Sequence, residues 1–178
     1  RLGGRAPIIP QGRIVCGGSS VNAMIYVRGN PADYDPWEEA SGGAGWAWRN
    51  IVAHMRRMEG NQRLHNALHG VSGPLKVSDP VHTCEASRAF VRAAQGAGIP
   101  YSHDFNGQRQ TGIGFYQTTT YQGRRCSAAN AFLDGVRSDP RLTLETGVLV
   151  NRIVLEGKRA VGIRYRGEFV FRKEGKKK

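Results

Sequence analysis

The residues with the most chemical content lie in one run, 12–29 (GRIVCGGSSVNAMIYVRG), followed at once by 30–37 (NPADYDPW). Small residues from Cys16 to Ser20 leave backbone N–H groups uncovered, and an Asn and an apolar segment come next. That succession suits the flank of a large planar cofactor with a phosphate tail, because a bare backbone lets a ring approach and its N–H groups can face an anion. The turn by itself reads equally well as a structural small-residue loop. No structural reason requires residues 28–37 to follow it at fixed spacing.

Other groups capable of chemistry point to less. Of His54, His65, His69, His82 and His103, only His65 and His69 have His-x-x-x-His spacing, and that run lacks the Glu of a metal-binding His-Glu-x-x-His motif, so no metal site is expected and none is a candidate base. Cys16, Cys84 and Cys126 have no Cys-x-x-Cys spacing, which argues against a disulfide framework or a zinc site and for a reducing compartment. The Gly-x-Gly-x-x-Gly fingerprint that seats a pyrophosphate on a helix N-terminus is absent.

The elements that must position these residues can be read from period and punctuation. Ser19 or Ser20 is expected to cap a short helix over 22–27. Pro31 and Pro36 punctuate the next stretch, and residues 42–45 (GGAG) mark a turn. Ile51, Val52, Met55 and Met58 recur at helical spacing opposite Arg56 and Arg57, which predicts an amphipathic helix over 48–59. A turn at 70–75 leads into a strand at 75–78. A second helix is expected over 84–96 with Ala86, Phe90, Val91 and Ala94 buried, then a strand within 112–122 and a helix from Ser127 to about residue 136. The end turns β-rich at 142–146, 148–155 and 160–165, the last two forming an antiparallel pair around Glu156 and Gly157.

The whole chain of 178 residues, 39% hydrophobic and 22% charged, is long enough for a core and too apolar to be disordered. Its formal net charge of +12 raises nucleic acid as a partner. The basic residues are spread thinly except in 172–178 (RKEGKKK), and no nucleic-acid motif accompanies them, so no nucleic-acid partner is expected. No apolar run approaches the roughly 20 residues of a membrane span, and the start lacks a signal-peptide layout. A cytoplasmic protein, soluble or peripherally membrane-associated, is the expectation. The first residue is Arg1 rather than Met, which suggests that the segment starts inside a longer protein.

The run 12–37 resembles the flavin-lid signature of the glucose-methanol-choline (GMC) family of FAD-dependent oxidoreductases. Further segments match that family in the same order: 69–75 (HGVSGPL), 104–107 (DFNG), 112–117 (GIGFYQ), 123–133 (GRRCSAANAFL) and 141–162. Read without the family, they are architectural: glycines for turns, Phe132 and Leu133 for core, Asn106 for a local backbone hydrogen bond, Val150 for a core strand.

The resemblance implies an internal fragment, covering 1–166, of a choline-dehydrogenase-like alcohol dehydrogenase that passes hydride from an alcohol CH–OH group to flavin, with a separate electron acceptor. It implies an α/β chain, α+β within this segment, forming part of a Rossmann-like FAD-binding domain with pieces of the substrate domain. By that resemblance 1–75 carries the lid and the helical part of the FAD-binding domain, 76–136 the substrate side, 137–168 the closing strand and β-meander, and 169–178 a basic tail. The implied cofactor contacts are Ile14, Gly17 beside the isoalloxazine, Asn22, Ala23, Met24, Ile25 and the main chain of Val150 at the adenine; Tyr116 and Gln117 would lie on the substrate side.

Cys16 stands where the family has Gly, and Gly18 at the following Ser/Cys position. Val21 stands where some members link a His covalently to flavin, so the resemblance implies FAD held non-covalently. The family's catalytic His and the dinucleotide fingerprint both lie outside these residues, which implies that the segment alone neither oxidises alcohols nor holds FAD tightly. The rival reading is a non-catalytic basic binding module or an inactive truncated relic.

Overall fold

The structure, a computed structural model, describes residues 3–165 and 168–171. The chain divides into two compact units, Arg1–Ser138 and Asp139–Lys178.

In the first unit, a 3-10 turn, Gly17–Ser20, is followed by three helices: α1 Pro31–Ala40, α2 Trp48–Met58 and α3 Glu85–Gly96. Helix α1 forms where the prolines read as punctuation. Asn30 caps it through its side chain to the Ala32 N–H, Asp33 returns a bond to the Asn30 N–H, and Pro31 occupies the first helical position, where a missing N–H is harmless. Asn30-Pro-Ala-Asp33 was therefore a helix start in plain view. Tyr34 packs on Trp37 and on Trp48 at ring separations of 5.7 and 5.5 Å, tying α1 to α2. Helix α2 matches the predicted period, with Ile51, Val52 and Met55 half-buried and its arginines exposed.

Helix α2 runs straight into strand β1, Glu59–Asn61, which pairs in parallel with β2, Leu75–Val77. The connecting segment folds back so closely that a Cβ on Gly70 would lie 1.9 Å from the Arg56 carbonyl oxygen, and one on Gly73 would lie 2.3 Å from the Met58 backbone. Both glycines of the 69–75 motif are thus required by the approach of two backbones.

Several expectations are corrected. No helix forms over 22–27: Met24 has φ of 63°, Asn22 accepts the Met24 N–H on its side chain, and residues 24–26 pair instead with 117–119. The region 112–122 is mostly isolated bridges, with a two-residue strand β3, Thr120–Tyr121, hairpinned to β4, Arg124–Arg125. Ser127 does bond the Asn130 N–H, but the helix it starts is a π segment, Ala129–Leu133, running into a 3-10 turn, Asp134–Val136. On α3 only Val91 is buried; Ala94 is half-buried, and Ala86 and Phe90 are exposed, Phe90 by 68%. Ala86, Phe90 and Val91 flank an open cleft of about 450 Å³ against Ile113, Gly114 and Phe115.

The second unit is an antiparallel sheet, β5 Val150–Glu156, β6 Arg159–Tyr165 and β7 Glu168–Phe171, in that order. Glu156 pairs with Arg159 across the expected turn at Gly157. Strand β7 occupies residues where a basic tail was expected to begin; residues 172–178 of that tail lie outside the described residues. Residues 142–146 have no strand partner among the described residues and stay irregular, with Leu142 and Leu144 exposed. Among the described residues no helix is long and apolar enough to cross a membrane.

Candidate functional site

Two neighbouring structures form around the lid sequence: an open wall made by residues 12–25 and a buried cluster that begins at Tyr26.

The wall is a loop closed on itself. The Gly17 N–H donates to the Ile14 carbonyl at 2.9 Å, and the Val21 and Asn22 N–H groups both donate to the Gly18 carbonyl. Ser19 Oγ donates to the Cys16 carbonyl and accepts the Ala128 N–H at 3.0 Å, so the 123–133 segment backs the turn. Cys16 has φ of 82°, the left-handed region that a side chain resists.

The wall therefore brings Ile14, Gly17, Asn22, Ala23, Met24 and Ile25 together as one unit. Beside the exposed Arg13 and Asn22 it leaves large aliphatic side chains uncovered: Ile14 is 62% exposed and Ile25 54%. A Cβ on Gly18 would meet nothing within 4 Å, and one on Gly17 only the Gly12 carbonyl at 4.0 Å. The Asn22 side-chain oxygen accepts from the Met24 N–H at 3.1 Å and from Arg125 Nη1 at 2.7 Å, whereas its Nδ2 has no partner among the described residues. Bare glycine backbone, exposed aliphatic side chains and one outward N–H donor form a surface that accepts a flat ring with hydrogen-bond acceptors on its rim. The residues present fit a flavin.

Tyr116 and Gln117 adjoin this wall, because the Gln117 carbonyl accepts the Tyr26 N–H at 2.9 Å. Tyr116 is exposed, its ring 4.4 Å from that of Phe105. The Gln117 side chain is buried and committed inward: it accepts from Asn61 Nδ2 at 2.7 Å and donates to Asp79 Oδ1 at 3.0 Å. Val150, half-exposed at the start of β5, pairs with Tyr165 in the second unit.

The buried cluster is what the sequence reading missed. Glu59 and His69 are almost wholly shielded from solvent. Glu59 Oε2 accepts from Arg28 Nη2 and from the Gly70 N–H, and Oε1 from Asn61 Nδ2 and His69 Nδ1, both at 2.8 Å. His69 Nε2 meets Asp104 Oδ2 at 3.0 Å. Arg28 Nη1 also donates to the Leu68 carbonyl at 2.6 Å. With both ring nitrogens facing carboxylates, His69 must donate twice and is an imidazolium; two positive groups then balance two negative ones.

The electrostatics agree. Burial pushes the His69 pKa down, but the hydrogen bonds and charges of Glu59 and Asp104 outweigh it and leave it above the ordinary value. Burial pushes Glu59 up, and the bonds from His69, Asn61, Arg28 and Gly70 together outweigh that and hold it below the usual carboxylate value. Tyr26 is raised, mainly by burial. No buried side-chain nitrogen or oxygen among the described residues lacks a partner. Asn106 is corrected as well: its side chain takes the Arg28 N–H at 2.7 Å and gives to the Tyr26 carbonyl at 3.0 Å, a link across the fold and not a local turn.

The cluster ties together the Arg28, His69, Asp104 and Gln117 segments, four of the separately quoted motifs. Glu59, Asn61 and His69 lie within ten residues of one another, but the bonds that join them to the Arg28, Asp104 and Gln117 segments span 31 to 78 residues, so no local spacing marks the cluster. The available signal was a Glu, an Asn and a His at helix and turn ends beside glycines.

The GMC oxidoreductase profile matches residues 2–177. The chain is 41% identical over 162 residues to the oxygen-dependent choline dehydrogenase of Brucella anthropi, covering 91% of this chain and 29% of that protein. It is 41% identical over 165 residues to an alcohol dehydrogenase [acceptor] of Pseudomonas putida, covering 92% and 30%. Its backbone superposes on the crystal structure of pyridoxine 4-oxidase from Mesorbium loti with a TM-score of 0.82 at 32% identity, covering 90% of this chain and 33% of that one. The chain spans about three-tenths of the length of the curated relatives it matches.

Proposed function

Since the chain belongs to the GMC oxidoreductase family, we propose that its 12–25 wall lines an FAD site in a protein that oxidises an alcohol CH–OH group, as in the choline-dehydrogenase-like branch. The observation that carries this reading is the wall itself: open ground over Gly17 and Gly18, exposed Ile14 and Ile25, and an unpartnered Asn22 N–H donor.

Bound FAD supplies the hydride acceptor. Ile14 and Ile25 would cover the ring and keep water from it, Gly17 would let it approach the backbone, and Asn22 would donate to it, with the Ala23 and Met24 backbone alongside. Val21 offers no nucleophilic nitrogen, so the cofactor is held non-covalently. Tyr116 lines the substrate side. Gln117 acts from behind, holding Asn61 and the Tyr26 strand. Val150 presents its main chain to the adenine at the start of the 137–168 meander. The base that takes the hydroxyl proton is none of these residues. His69 in particular has both nitrogens committed to carboxylates and no lone pair to offer. A separate electron acceptor would be the partner of such a protein, and the free thiols of Cys16, Cys84 and Cys126 suit a reducing compartment such as the cytoplasm.

The test is to express the protein at full length from its gene, precipitate it with acid and assay primary alcohols, choline among them, with an artificial electron acceptor. Yellow colour released to the supernatant and acceptor reduction with an alcohol are expected. Colour retained in the pellet would contradict the non-covalent site, and a colourless, inactive protein would overturn the reading.

A further inference from the structure

We infer that Arg125 is a positioning residue for this site: it fixes the Asn22 carboxamide with its oxygen turned inward and its nitrogen outward, so that Asn22 can only donate to the flavin. The inference rests on the reading above and adds the residue that sets the polarity of the contact.

The two groups facing the Asn22 side chain from within are the Met24 N–H and Arg125 Nη1, at 3.1 and 2.7 Å. Both are donors without a lone pair, so only the carboxamide oxygen satisfies them. A flipped carboxamide would set its NH2 against two donors, losing both bonds and adding repulsion beside a permanent cation. The nitrogen must therefore face the open side, where Asn22 is exposed and nothing among the described residues accepts from it. The guanidinium also polarises the carboxamide, drawing electron density to the oxygen and strengthening the outward N–H as a donor.

Arg125 is itself held in place. Nη1 donates in addition to the Ser19 carbonyl at 3.1 Å, and the next residues clamp the same turn through the Ala128 N–H on Ser19 Oγ. One side chain thus grips both the 3-10 turn and the carboxamide beyond it. Since the flavin ring carries carbonyl oxygens and unprotonated ring nitrogens, the fixed polarity favours its acceptor edge over any ligand that presents donors there.

The test measures FAD affinity by flavin fluorescence on the full-length protein after reversible removal of the cofactor, with thermal unfolding as a fold control. Asn22→Asp keeps an oxygen for the Met24 N–H and for Arg125, but it replaces the outward donor by an acceptor; it should fold normally and bind FAD about ten-fold or more weakly. Arg125→Met releases the carboxamide and should lose about three- to ten-fold, with a blurred fine structure in the visible flavin band. Arg125→Lys, which can reach the same oxygen, should recover most of that loss. The deciding measurement is the double variant: added to Asn22→Ala, Arg125→Met should cost clearly less affinity than it does alone, because the part of its effect that passes through Asn22 is already gone and only its hold on the Ser19 carbonyl is left to lose. Multiplying losses, or Asn22→Asp binding as tightly as the wild type, would overturn the inference while leaving the FAD site standing. A wild-type protein that takes up no FAD would overturn both, and is told apart by the absence of any reference affinity.

Discussion

The cluster around Glu59 and the wall at residues 12–25 adjoin in sequence yet treat their groups in opposite ways. In the cluster every polar atom is partnered, the charges balance, and solvent is excluded. In the wall two non-glycine residues, Cys16 and Met24, have positive φ, large aliphatic side chains face outward, and one amide nitrogen has no partner among the described residues. A surface that keeps strain and exposed apolar area while the structure behind it is fully satisfied is organised for something it does not itself contain. The cluster holds the fold, and the wall is the surface proposed to receive the flavin.

The largest effect that would break this contrast is Glu59→Ala. It leaves the Arg28 and His69 cations buried without their shared counter-ion, and removing one partner of a buried pair costs about 3–5 kcal/mol. Urea unfolding should show that loss, whereas a loss under about 1 kcal/mol would mean the cluster is not the support claimed here.

A second expectation concerns pH. The folded His69 pKa lies above its ordinary value, so its contribution is fully present below the unfolded pKa of about 6.5 and is lost as pH rises through the folded one. Glu59 has the opposite sense: its folded pKa is depressed, so its contribution is present above the ordinary carboxylate value and is lost as pH falls through the folded one. Stability should therefore peak between these limits, in mildly acidic solution. Denaturant midpoints measured across pH should fall on the alkaline side, and His69→Gln should flatten that fall.

On the wall, Cys16→Gly should raise stability by about 1 kcal/mol by relieving the left-handed strain, read as a rise of a few degrees in Tm. The smallest effect on stability is the sharpest test of the contrast. Gly18→Ala adds a methyl group where the protein has open space, so thermal unfolding should shift by no more than about 0.5 kcal/mol while FAD affinity falls. An unchanged affinity would mean that the open ground over Gly18 is not where the ring lies.

These differences also explain what could be read in advance. Helix α2 and the β5–β6 hairpin were legible because their period is local and long. The wall residues were legible as a run because they are contiguous. Helix α1 was masked by Pro31 and Pro36, which read as breaks, although its Asn30 and Asp33 caps were present. The 22–27 segment failed as a helix because pairing with 117–119, distant in sequence, outweighs local propensity. Phe90 was expected in a core that the first unit does not build around α3, and Leu142 in a strand that finds no partner among the described residues. Asn106 had a local reading and His69 no role at all, and the fold used both at long range.

The span of those bonds has a consequence for biosynthesis. Arg28 reaches Glu59 over 31 residues, Leu68 over 40 and Asn106 over 78, and Asn61 reaches Gln117 over 56. As the chain leaves the ribosome, Arg28 emerges first and must wait for each of them, and the cluster cannot close until Gln117 is free. At about 5–20 residues per second, that leaves the nascent lid for several seconds with its main anchor unformed and its aliphatic side chains in water. Slower synthesis once Gln117 has left the ribosome would change nothing, whereas a pause before that would lengthen the interval in which the emerging chain depends on chaperones.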